Sequence, residues 1–334
     1  MTVAGAIPVV LVSGFLGSGK TSLIRGLLAD SRASDSALIV NEFGEVGIDH
    51  HLFRKTDESI ALIRDGCVCC SLRDDLSDAM RDLLDKRDRA DIPPFNRLVI
   101  ETTGLADPGP ILHTVVSDPV LRNRFRMNRV LTTLDAVSGL SNLAAYGEAM
   151  RQVAAADLVV LTKLDLAPPE SVVALRHALK ELNPIAQVTE AHHGRFDLDL
   201  LLSESGARSI GAPSPFPTLG VDRSAVLHTS AGSIVSHTLI FDTPLNWQMF
   251  GIWLTMLLGQ HGARVLRMKG LLNVGVQRGP LLLEGVQHVM HAPRHLQEWP
   301  DENRQSRLVF IVRDLDVDLL RDSLLAFQEA AAVG

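Results

Sequence analysis

Cysteine is nearly absent: the 334 residues hold three, and they lie together at Cys67, Cys69 and Cys70. An odd number crowded into one short segment excludes a disulfide framework. In a reducing compartment such a cluster points instead to metal binding or thiol redox chemistry. Basic residues are in deficit, 32 Lys and Arg against 39 Asp and Glu, so the positive footprint of a nucleic-acid-binding protein is missing. No apolar run approaches a bilayer span; the most apolar late stretch, residues 250–258, is far too short. The apolar opening, residues 1–16, has neither a basic n-region nor a small-residue cleavage site. Residues 8–13 therefore read as a buried strand rather than a signal peptide, and a cytoplasmic protein with no membrane and no nucleic-acid partner is expected. Internal repeats and low-complexity tracts are also lacking.

What is present is a globular balance, 46% hydrophobic and 21% charged, at a length that allows a large and a small domain, each with its own core. Residues 1–205 alternate short apolar runs (9–13, 37–41, 98–101, 130–134, 158–162, 187–189) with amphipathic stretches (21–29, 72–84, 110–116, 170–182). That alternation predicts an α/β fold of the P-loop NTPase type, a doubly wound, mostly parallel sheet with helices on both faces. Residues 206–232 contain Pro213, Pro215 and Pro217 among Gly and Ser and read as a linker. Residues 233–334 change pattern, with strands at 233–242, 265–273, 281–289 and 308–312 and helices at 247–258 and 317–328. They predict a smaller C-terminal α+β domain, an antiparallel sheet with helices on one face.

Gly14-Phe-Leu-Gly-Ser-Gly-Lys20-Thr21 satisfies G-x-x-x-x-G-K-[ST] at every fixed position, after an expected strand and before an expected helix. Glycines let successive N–H groups turn inward onto phosphate oxygens, and the following helix adds its positive end. Gly14, Gly17, Ser18, Gly19, Lys20, Thr21 and Ser22 are thus candidate nucleotide contacts. Lys20 is expected to reach the β- and γ-phosphates and the Thr21 hydroxyl to ligate Mg²⁺. In Leu98-Val-Ile-Glu101-Thr-Thr-Gly104 an apolar strand ends in a carboxylate. Glu101 is the candidate second Mg²⁺ contact and a candidate for positioning the attacking water, and Gly104 can approach the γ-phosphate.

Leu158-Val-Val-Leu-Thr162-Lys163-Leu-Asp165 carries Lys and Asp to the carboxyl end of a strand, where ligands sit in open α/β sheets. The Asp165 carboxylate only accepts hydrogen bonds, which suits the paired N1–H and N2–H₂ donors of guanine and rejects adenine. The Lys163 stem can pack over the base. Thr162 stands where the usual guanine motif has Asn, and its hydroxyl keeps the capacity to bond the neighbouring loop. GTP and GDP are the expected nucleotides.

In Gly66-Cys67-Val-Cys69-Cys70-Ser71-Leu-Arg-Asp74, Ser71 and Asp74 resemble a capping box that opens a helix. Thiols at a helix N-terminus favour the thiolate, and three of them on a tight loop suit zinc, cobalt, copper(I) or iron over magnesium. A fourth ligand could come from Glu42 or Glu45 in Asn41-Glu42-Phe-Gly-Glu45, a loop after the second strand where many GTPases sense the γ-phosphate, or from a histidine. His50, His51, His192, His193 and the trio His288, His291 and His295 show no spacing that marks a metal site by itself; solvated or core positions explain them better.

These motifs, in this order, resemble the CobW-type metal-chaperone GTPases, which include zinc and cobalt chaperones and nitrile hydratase activators. The likeness rests on residues 14–21, Asn41-Glu-Phe-Gly-Glu45, Gly66-Cys-Val-Cys-Cys70, Glu101-Thr-Thr-Gly-Leu-Ala-Asp-Pro108 and Thr162-Lys-Leu-Asp165. A weaker likeness covers residues 233–327. The resemblance implies slow GTP hydrolysis, Mg²⁺ with the nucleotide, and delivery of Zn²⁺ or Co²⁺ to a client metalloprotein or a metal-cofactor biosynthesis enzyme. The C-terminal domain would dock that client or a second subunit, forming a homodimer. Many members carry a histidine-rich tract between domains, and residues 206–232 have none, which argues against bulk metal storage. The competing readings are a redox- or metal-sensing regulatory GTPase and a P-loop kinase acting on a small molecule.

Overall fold

The computed structural model describes residues 5–40, 62–63, 72–192, 194–202, 224–229, 232–275 and 279–330. The first sheet contains β1 (Ile7–Gly14), β2 (Ser36–Val40), β3 (Leu62–Ile63), β4 (Arg97–Glu101), β5 (Phe125–Asp135), β6 (Leu158–Thr162) and β7 (Gln187–Glu190). Their order is β3-β2-β4-β1-β5-β6-β7, with every neighbouring pair parallel. The connecting helices are α1 (Lys20–Leu28), α2 (Leu72–Asp88), α3 (Pro108–Ser117), α4 (Leu121–Arg124), α5 (Gly139–Ala145), α6 (Gly147–Ala155), α7 (Pro169–Leu182) and α8 (Asp199–Leu202).

The central strands read as unbroken apolar runs because both faces are covered. Alternate side chains divide between the faces. Val10, Val12, Leu38, Val99 and Val160 pack with Leu23, Ile24 and Leu27 of α1. Val9, Leu11, Ile39, Leu98 and Ile100 pack against Met80 and Leu83 of α2 and Leu112 and Val115 of α3. The expected parallel α/β layer is thus observed. The helices α5 and α6, by contrast, had no counterpart among the stretches expected to be helical. The nine residues of α6 bury Met150 and Val153 with the small Ala149, Ala154 and Ala155, and the polar Gln152 is buried among them, so only two large apolar side chains mark this short helix.

The second sheet holds β8 (Ser224–Thr229), β9 (Gly232–Phe241), β10 (Val265–Leu272), β11 (Leu281–Val286), β12 (Val289–Met290), β13 (Arg294–His295) and β14 (Ser306–Arg313), with α9 (Trp247–His261) and α10 (Val317–Ala330). The strand order is β12-β11-β10-β14-β9-β8, with β13 on β11, and all pairs are antiparallel. Two expectations are corrected. The segment 206–232 is not all linker, because β8 pairs with β9 through Ser224↔His237 to Thr229↔Gly232. Residues 281–289 do not form one strand; Gln287, at φ +51°, turns the chain between β11 and β12.

One face of this sheet, including Leu239, Phe241, Leu308 and Phe310, packs on α9 and α10, with Trp253 edge-on to Phe310 at 6.2 Å. The opposite face covers the first domain: Ile234, Leu266 and Ile311 join the core around α6 and α7, and Val286 and Val289 join the core around α3. Charged groups are enclosed in this contact. Arg267 pairs with Asp157, the residue just before β6, and Lys269 Nζ lies 2.6 Å from Glu284 Oε1 on the neighbouring strand. Burial alone would raise the Glu284 pKa, but the Lys269 and Arg267 charges overcome it and hold the carboxyl below its ordinary range. Burial pushes the His291 pKa down, against the opposing pull of Glu284.

Candidate nucleotide site

The carboxyl ends of four adjacent strands carry the polar groups of the site: Gly14 on β1, Glu101 on β4, Asp135 on β5 and Thr162 on β6. Register sets them side by side, with Val12 opposite Glu101, Gly14 opposite Thr133 and Asp135 opposite Thr162. Open parallel sheets bind ligands at this edge.

The loop after β1 depends on glycine at two points in particular. At Gly14, φ is +143°, and a Cβ would lie 2.3 Å from Thr133 Oγ1 and 2.6 Å from the Thr133 carbonyl oxygen. At Gly19, φ is +96°, and it caps α1 with no side-chain hydrogen bond, as a helix end that presents its own N–H groups to an anion requires. Lys20, 9% exposed, turns inside the loop and donates from Nζ to the carbonyls of Gly14 (2.8 Å) and Phe15 (3.2 Å). Ser18 Oγ and Thr133 Oγ1 are 2.7 Å apart. Gly17 in this turn and Ser22 in the first turn of α1 are exposed.

Thr21 Oγ1 donates to Glu101 Oε1 at 3.0 Å, so the hydroxyl and the carboxylate expected to share a Mg²⁺ ion are in contact. Both are hard oxygen ligands on rigid elements, a donor set that fits magnesium. Thr102 N donates to Val12 O at 3.0 Å, fastening the chain after Glu101 to β1. Gly104 then passes so close to the loop that a Cβ would lie 2.5 Å from Leu16 Cδ2 and 2.8 Å from Leu16 N.

On the other side, Thr162 Oγ1 donates to the Ser18 carbonyl at 2.7 Å, linking the strand expected to read the base to the phosphate loop. Lys163 adopts a left-handed conformation, φ +55°, and its Nζ lies 2.6 Å from Asp135 Oδ2. Asp135 is itself held, accepting from Val137 N at 2.7 Å. Asp165 sits exposed in the 3₁₀ turn Leu164–Leu166 that follows. The structure thus gathers Gly14, Ser18, Gly19, Lys20, Thr21, Glu101, Gly104, Thr162 and Lys163 at one edge, with Asp165 at its rim.

Three further residues of the site escaped the sequence reading. Thr133 and Asp135 end β5 much as Glu101 ends β4, and a polar Thr-Leu-Asp closing an apolar run was the available signal. Gln152, from α6, donates to the carbonyls of Gly104 and Ala106. Nothing local in the sequence marked it.

The description "CobW/HypB/UreG, nucleotide-binding domain" matches residues 8–190. The chain belongs to this family. The family's partner module, the cobalamin synthesis protein cobW C-terminal domain, matches residues 234–328. Over 318 residues the family member described here is 35% identical to the zinc chaperone YjiA of Escherichia coli strain K12, covering 94% of this chain and 96% of YjiA. It is 28% identical to the zinc chaperone CobW of Pseudomonas aeruginosa over an alignment of 363 positions, gaps included, that covers 97% of this chain and 92% of that one. The crystal structure of Zn(II)-bound YjiA GTPase from E. coli matches with a TM-score of 0.71 at 31% identity, covering 96% of this chain and 99% of that chain.

The expected metal ligands Cys67, Cys69, Cys70, Glu42 and Glu45, together with His50, His51 and His193, lie outside the described residues. Among the described residues no group of three or more His, Cys, Asp and Glu side chains is placed to hold a metal, so His288, His291 and His295 do not converge on one. Among the described residues no helix is long and apolar enough to cross a membrane.

Proposed function

We propose that this CobW-family chain is a cytoplasmic GTP-hydrolysing metallochaperone that carries Zn²⁺ or Co²⁺ on Cys67, Cys69 and Cys70 and releases it to a client metalloprotein. In this reading residues 14–22 cradle the phosphates. Lys20 exchanges its loop carbonyls for the β- and γ-phosphate oxygens, and Thr21 with Glu101 holds Mg²⁺. Magnesium, when bound, supplies charge neutralisation at the phosphate oxygens. Glu101 also orients the attacking water. Thr162 keeps the base-reading strand in step with the phosphate loop, Lys163 flanks the base and Asp165 accepts from guanine.

One observation carries the link between nucleotide and metal. Val40, the last residue of β2, pairs with Glu101, and Ile39 pairs with Ile63, the last residue of β3. β2 and β3, the strands that precede Glu42 with Glu45 and the three cysteines in sequence, thus end on the same side of the sheet as Glu101, which Thr21 of α1 contacts. A change in phosphate contacts at that edge is communicated to both departing segments, so the metal is held with GTP and released after hydrolysis. The zinc named for YjiA and for the Pseudomonas CobW favours zinc as the cargo here. Replacing Cys69 with Ser tests the reading: the variant should bind GDP as the parent does and lose its stoichiometric zinc. A C69S protein with undiminished zinc content would overturn it.

A further inference from the structure

Gln152 is fully buried, at 0% exposure, in the middle of α6 beside Ala149, Val153 and Ala154. A buried amide needs partners, and the partners here are informative. Its Nε2 donates to the Gly104 carbonyl at 3.0 Å and to the Ala106 carbonyl at 3.0 Å. Its own backbone carbonyl accepts from Thr132 Oγ1 at 2.9 Å, which ties that turn of α6 to β5. Two carbonyls can be met only by the NH₂ end of the amide, so its orientation is set by chemistry. Both carbonyls belong to the short segment between Glu101 and α3. Upstream, that segment is fastened by Thr102 N on Val12 O, and downstream by Asp107, whose carboxylate accepts from Gly109 N at 2.9 Å. Gln152 grips the middle, where Gly104 presses against Leu16 of the phosphate loop.

We infer that Gln152 is a positioning residue for GTP hydrolysis: it holds residues 104–106 against the phosphate loop and so fixes the approach of Gly104 and the setting of Glu101. This rests on the GTPase reading above. Both hydrogen bonds of its Nε2 go to backbone carbonyls, and it acts through them.

The test compares wild type with Gln152→Glu, which keeps size but turns an acceptor toward two carbonyls, and Gln152→Met, which fills the space with no donor. Single-turnover GTP hydrolysis is counted per site titrated with a fluorescent GDP, so a partly folded variant still reports. Misplacing the segment should slow hydrolysis per site by roughly tenfold to a hundredfold. GDP affinity should change by no more than about twofold, because the loss falls on the reacting arrangement and not on ground-state binding. In the Glu variant the rate relative to wild type should recover as pH falls, because a protonated carboxyl can again donate; the Met variant should show no such recovery. Wild-type rates per site in both variants, or a loss of rate matched by an equal loss of GDP affinity with no pH recovery, would overturn the positioning role alone. A wild-type protein that fails to hydrolyse GTP would overturn the GTPase reading itself.

Discussion

Thr162 offers a sharp test of how the site is held together. Its Oγ1 donates to the Ser18 carbonyl at 2.7 Å, and both residues are buried, at 7% and 2% exposure. Thr162→Val preserves the shape and removes only the hydroxyl. The Ser18 carbonyl then loses that donor in a place with little access to water, at a cost of about 1–3 kcal/mol. For a chain of 334 residues that corresponds to a melting temperature lower by roughly 1–4 °C. Because the bond pins the phosphate loop to the strand proposed to read the base, GDP binding should also weaken, by about tenfold if some 1.4 kcal/mol of the cost is felt there. Thr162→Asn should be mild by comparison, since its amide can donate to the same carbonyl. Calorimetric GDP titration and thermal melting of both variants make the comparison. A T162V protein that melts and binds GDP like wild type, or a T162N protein damaged as badly as T162V, would refute the reasoning.

Two other predictions follow from named groups. Asp165→Asn exchanges an acceptor-only carboxylate for an amide that is half donor, so GDP affinity should fall by about ten- to a hundredfold, the value of a charge-assisted hydrogen bond, while affinity for xanthosine diphosphate, whose C2 carbonyl can meet the amide donor, should rise; equal losses for both nucleotides would contradict the assignment. His291 faces Glu284, Arg267, Asp157 and Lys269, and its pKa in the fold lies below the ordinary 6.5 chiefly through burial. Folding therefore favours the neutral ring: that part of the stability is complete above pH 6.5 and is lost as the pH falls from there through the folded value. The difference in melting temperature between about pH 7.5 and about pH 5.5 should shrink in His291→Gln, and an unchanged difference would show that another group is responsible. The carboxylate Glu284, also lowered, gives up its contribution only below its ordinary 4.5.

The parts of this molecule that sequence made legible are those where physics leaves few choices. The phosphate loop needs glycine at Gly14 and Gly19 because a side chain there would meet Thr133 or a left-handed backbone. The strand β6 shows both its ends, 158 and 162, because a run of buried apolar residues stops abruptly at polar ones. Other features depend on contacts remote in sequence. Gln152 meets Gly104 and Ala106 from 48 and 46 residues away, and no local pattern announces such a meeting. The turn between β11 and β12 is made by Gln287, not by a glycine or asparagine, and Gln287 is held there from the other domain: its Nε2 donates to Asp107 Oδ1 at 3.2 Å. β8 was hidden by the Gly, Ser and Pro residues that precede it and is a strand only because β9 lies alongside. The thiol cluster, three soft ligands in five consecutive residues from Gly66 to Cys70, lies outside the described residues, and its metal role rests on the chemistry of the sequence alone.

The central claim is that nucleotide state governs possession of the metal, and the most direct measurement is metal analysis of the same protein purified with a slowly hydrolysed GTP analogue and with GDP, each with magnesium and equal exposure to zinc. The account predicts stoichiometric zinc with the analogue and little with GDP, with the difference abolished by Cys69→Ser. Equal zinc in the two nucleotide states, or a difference that survives C69S, would contradict it.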